Sequence, residues 1–175
     1  MLIVLSGLPG VGKTTVAREL ARRIGAVHVR IDSIEQAIRD SGLISGSIND
    51  AGYRVAYVMA EDNLRLGRTV IADSVNPIPL TRDAWLDVAA RANVPALEVE
   101  IRTSDLSEHR RRVEDRTSDI AGLRLPTWDD VMAREYAPWN REHLVLDTSL
   151  MALDGCVEVI QRALHEAARR SGTAC

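Results

Sequence analysis

Residues 1–20 read MLIVLSGLPGVGKTTVAREL. The apolar run Leu2–Leu5 gives way to a segment holding three glycines in six positions, Gly7, Gly10 and Gly12, and Lys13, Thr14 and Thr15 follow at once. A short all-apolar run ending in glycine suits a central parallel strand covered on both faces. Beyond the glycines, KTTVARELARRI spaces Val16, Leu20 and Ile24 at i, i+4 and i+8, a helical stripe that Gly25 stops.

Between strand and helix, Gly7-Leu8-Pro9-Gly10-Val11-Gly12-Lys13-Thr14 fits G-x-x-x-x-G-K-[ST] at every position. The glycines let the backbone wrap closely and turn successive N–H groups inward as an anion nest. The helix starting near Gly12 adds the positive end of its dipole. Lys13, expected to face solvent when no ligand is bound, supplies a point charge to the β- and γ-phosphates, and the Thr14 hydroxyl can ligate Mg2+. Gly7, Gly10, Val11, Gly12, Lys13, Thr14 and Thr15 are therefore expected to bind a nucleoside triphosphate. No N-K-x-D guanine signature is present, so ATP with Mg2+ is expected. The motif alone leaves open whether the phosphate goes to water or to an acceptor.

Working outward, the 175 residues fit one domain, long enough to bury roughly 70% of its unfolded surface. The chain is 46% hydrophobic and 27% charged with a formal net charge of -3, which speaks against broad electrostatic capture of nucleic acid. Cys156 and Cys175 make neither a disulfide framework nor a zinc site, which suits a reducing cytosol. The start of the chain does not read as a signal peptide, and no apolar run approaches the ~20 residues that span a bilayer.

Strands and helices alternate along the rest. AVHVRI reads as a strand, its alternation marking an edge. DSIEQAIRDSG and NDAGYRVAYVMAEDNLRLG read as helices, and RTVIAD as a third strand. TRDAWLDVAARAN reads as a helix with Thr81 as N-cap candidate, and PALEVEIR as a fourth strand. SDLSEHRRRVEDR reads as a basic helix, TSDIAGLRLP as a mobile loop and TWDDVMAREYA as a short helix. HLVLDT is the fifth strand, and DGCVEVIQRALHEAARR a final amphipathic helix. Five strands alternating with helices predict a three-layer α/β sheet with right-handed crossovers.

Two carboxylates stand at predicted strand ends, where open α/β sheets bind ligands. Asp73 closes TVIAD, as a residue holding the Mg2+ water shell would. Asp32 closes HVRID, placed to accept the proton of an attacking hydroxyl or, alternatively, to cap the following helix. Arg112 and Arg116 stand at i, i+4 and are expected to share a helix face. With the loop beyond them they make a candidate lid over about residues 110–130, bringing cations to the transferring phosphoryl group on closure. Alternatively they form a solvated basic face.

In order and spacing, GLPGVGKTT, RID, TVIADSVNP, RVEDR and LVLDT resemble the small P-loop kinases of the predicted-kinase type, relatives of chloramphenicol phosphotransferase, adenylylsulfate kinase and zeta toxin. The resemblance covers about residues 1–150. It implies a five-stranded parallel sheet in the order 2-3-1-4-5, Asp32 as catalytic base, Arg112 packed on adenine and Arg116 on phosphates. It also implies that the loop carrying Asp147 and Thr148 borders adenine. The acceptor region is expected within residues 33–66 and 74–82. There Tyr53 and Tyr57 line a pocket or form a core stripe, and Asn76 orients an acceptor or is a plain turn residue. Trp128 and Trp139 are expected to pack the lid helix on the body.

The reading is a cytoplasmic ATP-dependent kinase with catalytic Lys13, Asp32, Arg112 and Arg116, metal positions Thr14 and Asp73, and a small-molecule acceptor. A 5′-polynucleotide or RNA-end kinase and a nucleotide-binding switch ATPase are the alternatives.

Overall fold

The computed structural model describes residues 1–43 and 46–172, without the side chains of residues 168 and 170–172. Cys175 and positions 44 and 45 of the expected acceptor region lie outside the described residues. Five strands, β1 (Leu2–Ser6), β2 (Val27–Arg30), β3 (Val70–Asp73), β4 (Ala96–Arg102) and β5 (Leu144–Asp147), alternate with helices. These are α1 (Lys13–Ile24), α2 (Ile31–Asp40), α3 (Ala51–Arg65), α4 (Pro79–Arg91), α5 (Leu106–Asp115), α6 (Trp128–Met132) and α7 (Leu153–Gly172).

All four strand pairings are parallel and the order is β2-β3-β1-β4-β5, with β2 at an edge as its alternation predicts. Every residue of β1 is buried. Its pleat divides the core: Ile3 and Leu5 pack with Val16, Leu20, Val157 and Ile160 of α1 and α7. Leu2 and Val4 pack with Ala56, Ala60, Trp85 and Val88 of α3 and α4 on the other face. Because β1 is flanked by β3 and β4, and the chain leaves β1 and β3 toward opposite sides, the crevice lies beyond their carboxyl ends.

Four local expectations are corrected. No loop separates β2 from α2: the helix starts at Ile31, and Asp32 is a first-turn residue rather than a strand end. Helix α4 starts at Pro79, where proline's fixed φ suits the first turn, and Thr81 is inside it, its hydroxyl donating to the Ile78 carbonyl (2.9 Å). Helix α5 ends at Asp115, so Arg116 has an extended backbone (φ -69°, ψ 143°) and shares no helix face with Arg112. Helix α6 stops at Met132, started by a capping box between Thr127 and Asp130.

Candidate active site

The glycine loop between β1 and α1 is clamped from behind. A side chain at Gly10 (φ 87°) would meet Val113 of α5 at 2.5 Å, and one at Gly7 would meet the Ile101 carbonyl at 2.1 Å. His109 of α5 donates from Nε2 to the Pro9 carbonyl (2.8 Å), and its ring packs perpendicular to that of Trp128 at a centroid distance of 5.2 Å. Val11 is buried, and its carbonyl accepts from Thr148 Oγ1 (2.9 Å). The loop therefore keeps its phosphate-sized curl through contacts that a sequence motif does not show. His109 was missed because only the tertiary packing places it under Pro9.

Lys13 does not face solvent as expected. It is 9% exposed and donates to the Leu8 carbonyl (3.0 Å). Burial brings its ammonium down to about 8, against the opposing pull of Asp73 and Asp32. Asp73 is 3% exposed. Burial favours its neutral form, but hydrogen bonds from His28 and Thr14 and the charge of Lys13 hold its carboxyl below the usual range. His28 Nε2 lies 3.2 Å from Asp73 Oδ2 across the β2–β3 pair, a partner the sequence reading did not identify.

Thr14 and Asp73, already hydrogen-bonded, offer hard oxygen donors beside the loop. No cluster of three or more His, Cys, Asp or Glu that could hold a metal exists among the described residues. One or two protein oxygens plus substrate phosphates and water is the usual setting of Mg2+, so the residues fit the ion.

A cleft of about 1660 Å³ runs from this loop to the lid and to α2. Gly10, Gly12, Lys13, Thr14, Thr15, Asp32, Asp73, Arg112, Arg116 and Thr148 all line it, whereas Gly7, Val11 and Asp147 do not. Asp32 makes no capping hydrogen bond, so the cap reading falls. Its side chain is 56% exposed, and its charge acts on Lys13 and Arg116. Arg112 donates to Glu108 (2.8 Å), to Thr148 Oγ1 (2.8 Å) and to the Thr148 carbonyl (3.0 Å), tying α5 to the loop after β5. Asp147 shapes that loop: its Oδ1 accepts from the N–H groups of Ser104 (3.2 Å) and Ser149 (3.0 Å). Burial opposes its ionisation, but hydrogen bonds from Ser149 and Ser104 hold its carboxyl at about 2.

The segment 117–126 folds over the cleft. Its Asp119 carboxylate is held by Arg18 of α1 and by Arg30 at the end of β2 (3.0 and 3.1 Å). Arg116 presents Nε and Nη2 that are buried and have no hydrogen-bond partner. The reading of Arg112 and Arg116 as a mere solvated face therefore fails: one is bound to the Thr148 loop and the other is turned into the cleft.

Of the expected acceptor residues, Tyr53 lines the cleft, while Tyr57 packs edge-on against Trp85 (4.6 Å). Asn76 neither faces the cleft nor is a plain turn residue. Fully buried at φ 48°, it donates to Ser6 Oγ (3.1 Å) and the Leu5 carbonyl (3.3 Å) and accepts from Ser74 (2.9 Å) and Trp85 (3.1 Å). Its own carbonyl accepts from Arg82 (3.0 Å), a fully buried arginine that also donates to the Ala137 carbonyl (2.7 Å) and stacks on Trp139 (4.2 Å). This network fixes the floor below Asp73. Glu35, inside the expected acceptor region but not singled out there, and Arg134, absent from the sequence reading, also line the cleft, and Arg134 acts on the charge of Lys13.

The fold and its loop define the P-loop kinase-type class. The chain belongs to the AAA domain family, whose model matches residues 2–138. It is 31% identical over 137 residues to an uncharacterized protein of Mycobacterium tuberculosis, covering 75% of this chain but 24% of the relative. The chain thus spans about a quarter of the length of that relative. It is 28% identical to the cytidylate kinase of Ignicoccus hospitalis, over 93% of this chain and 98% of that one. Among solved structures, Chaetomium thermophilum Kti12 in complex with ADP-AlF3 superposes with a TM-score of 0.70 at 23% identity, covering 95% and 98% of the two chains. The Mycobacterium tuberculosis APS kinase CysC in complex with AMPPNP and APS gives 0.64 at 17% identity, covering 94% and 96%. The five-stranded parallel sheet in the order 2-3-1-4-5, with helices around it, matches the fold of the P-loop kinase neighbours. No described helix is long and apolar enough to cross a membrane.

Proposed function

We propose that this chain is an ATP-dependent phosphotransferase that moves the γ-phosphoryl group to a hydroxyl of a small acceptor. The observation that carries it is the exposed carboxylate of Asp32, facing the same cleft as Lys13 and the Thr14–Asp73 pair. Asp32 can take the proton of an attacking hydroxyl, and the room beside it in the cleft, lined by Glu35, Tyr53 and Arg30, suits an acceptor larger than water.

Glycine-loop N–H groups and Lys13 hold the triphosphate, and Arg112 with Thr148 borders adenine. Thr14 and Asp73 would hold Mg2+, which spreads charge off the phosphate oxygens when bound. The acceptor oxygen attacks Pγ, and its proton passes to Asp32. The bond from Pγ to the β,γ-bridging oxygen breaks, and ADP leaves with that electron pair. Arg116 meets the charge that develops on the phosphoryl oxygens.

The cytidylate kinase relative favours a second reading, in which a nucleoside monophosphate accepts through its phosphate and Asp32 is dispensable. A metabolite-pool screen for acceptor-stimulated ADP release, followed by identification of the product, tests both. A phosphate ester is expected. A new phosphoanhydride supports the second reading, and turnover indifferent to every acceptor overturns both in favour of a switch ATPase.

A further inference from the structure

Two guanidiniums with unfilled buried donors stand beside the proposed base. Arg116 leaves Nε and Nη2 without a partner, and Arg30 leaves Nε without one, all three atoms being buried. Both residues line the cleft. Arg30 Nη2 lies 3.9 Å from Asp32 Oδ2, and Arg116 feels the charges of both Asp32 and Arg30, so the three form one cluster. A buried donor with no acceptor is costly, more so when it is charged, and natural sites rarely leave several together.

The local charges do not cancel. Eight lysine and arginine side chains line the cleft against six aspartates and glutamates, Glu35 beside Asp32 among them, so positive charge is left over. Arg30 is the least exposed member of its ion pairs, 12% against 49% for Asp119 and 56% for Asp32. Its Nη1 is taken by Asp119 (3.0 and 3.1 Å), while Nε has no partner and Nη2 lies 3.9 Å from Asp32. Fixed guanidinium forks match the oxygens of carboxylates and phosphates better than any neutral group does.

From this we infer that the acceptor carries its own anionic group, a carboxylate or a phosphate, seated between Arg30 and Arg116 while its hydroxyl meets Asp32. The inference rests on the phosphotransferase reading and names the substrate class within it. The short separation of Arg30 from Asp32 puts hydroxyl and anion close together on the acceptor, about two or three carbons apart at most. Small hydroxy acids and phosphorylated sugars or polyols have that form, and neutral polyols and apolar alcohols do not.

The test uses the full chain saturated with Mg2+ and AMPPNP, so that a triphosphate already fills the glycine loop. Inorganic phosphate, glycerol 3-phosphate, glycerate and glycerol are titrated by calorimetry. Phosphate and at least one of glycerol 3-phosphate and glycerate are expected to bind at one site, and glycerol is not. Preference between glycerol 3-phosphate and glycerate tells phosphate from carboxylate. Arg30→Met is expected to weaken the anions at least tenfold, and Arg91→Met, on the far side of α4, is expected to change nothing. Absence of anion binding in the wild-type protein overturns the inference whether or not the variants fold, and so does equal binding to a folded Arg30→Met. The two readings fail separately. Anion binding without any acceptor-stimulated ADP release removes the phosphotransferase and keeps the site, whereas strong stimulation by a neutral alcohol alone keeps the phosphotransferase and removes the site.

Discussion

The two walls of the cleft are built on different principles. The nucleotide wall is mainly backbone: a strand with no exposed residue, three glycines with φ between 87° and 140°, and the start of α1. The wall proposed for the acceptor is mainly side chains, with Asp32 and Glu35 from α2, Arg30 from β2, Tyr53 from α3 and Arg116 after α5. A backbone cradle recognises what all nucleotides share. A wall of side chains can be changed residue by residue while the cradle stays as it is. On that division, substitutions on the proposed acceptor wall should spare nucleotide binding, and substitutions on the loop should not.

The largest expected effect is at Asp32. Asp32→Asn removes the proton acceptor at nearly constant shape and is expected to lower phosphoryl transfer about 10²–10⁴-fold. Nucleotide affinity, measured on the same preparation, should stay within about twofold. Since Asp32 makes no capping hydrogen bond, the melting temperature should hardly move. Wild-type transfer would break the comparison on its acceptor side.

Next is Lys13, the only lysine in the chain. Lys13→Met is expected to lower transfer about 10²–10³-fold and, unlike Asp32→Asn, to weaken ATP binding as well. Without nucleotide it should also alter how stability depends on pH. The folded-state value of about 8 lies below the unfolded value of 10.5, so between these limits the unfolded chain binds the extra proton. Unfolding free energy contributed by this group therefore rises with pH across that window, by up to about 3 kcal/mol, and is at its least below pH 8. Denaturant titrations at pH 7.5 and 10 should show this rise in wild type and its loss in Lys13→Met. Lysine-selective carbon labelling would report the titration itself from a single resonance.

These differences follow the line of what the sequence made legible. Strand β1, the glycine loop and the edge place of β2 could be read because apolar runs, glycine spacing and strand alternation are local signals that the fold obeys, whereas the full order 2-3-1-4-5 came from the family resemblance. Asp73 could be read because it closes an apolar strand. The acceptor wall was harder. Arg30 looked like a polar residue on an edge strand, and only the turn of β2 directly into α2 brings it beside Asp32. Glu35 lies one turn beyond Asp32, where α3 approaches so closely that a side chain at Gly52 would meet Glu35 Cγ at 2.3 Å. That approach has no signature in spacing. Arg116 was identified, but its geometry was misjudged, since helical periodicity cannot say that α5 stops one residue earlier. Asn76 was misplaced for a related reason: an Asn before Pro signals a turn, and nothing local shows that the turn is sunk under Trp85.

Arg112 and Arg116 offer a sharper division. Arg112 is fixed to the Thr148 loop at the expected adenine end, and Arg116 lines the cleft with two buried donors that have no partner. Arg112→Ala is expected to raise the nucleotide Kd about tenfold with a small change in kcat. Arg116→Ala should lower kcat about tenfold or more with a smaller change in Kd. Equal effects of the two on both constants would mean that the lid acts as one block rather than serving the walls separately.

The smallest effect expected is at the latch between the walls. Asp119 belongs to the lid, and its partners Arg18 and Arg30 belong to α1 and β2. Hydrogen bonds from the two arginines hold its carboxyl at about 2, so the latch is fully ionised at neutral pH. Asp119 is about half exposed, and an ion pair so open to solvent contributes about 1 kcal/mol or less. Asp119→Asn should therefore shift lid closure only a fewfold. Limited proteolysis within 117–126 should quicken by about that factor in the nucleotide-free variant, and saturating nucleotide should slow it in both proteins. In 1 M salt, where the Debye length falls to about 3 Å, the wild-type protein should approach the variant. A variant cleaved at the wild-type rate in low salt would mean that the lid is held by packing alone, for example by Gly122 against Gln36. Arg30 would then have no part in closure and would belong wholly to the acceptor wall.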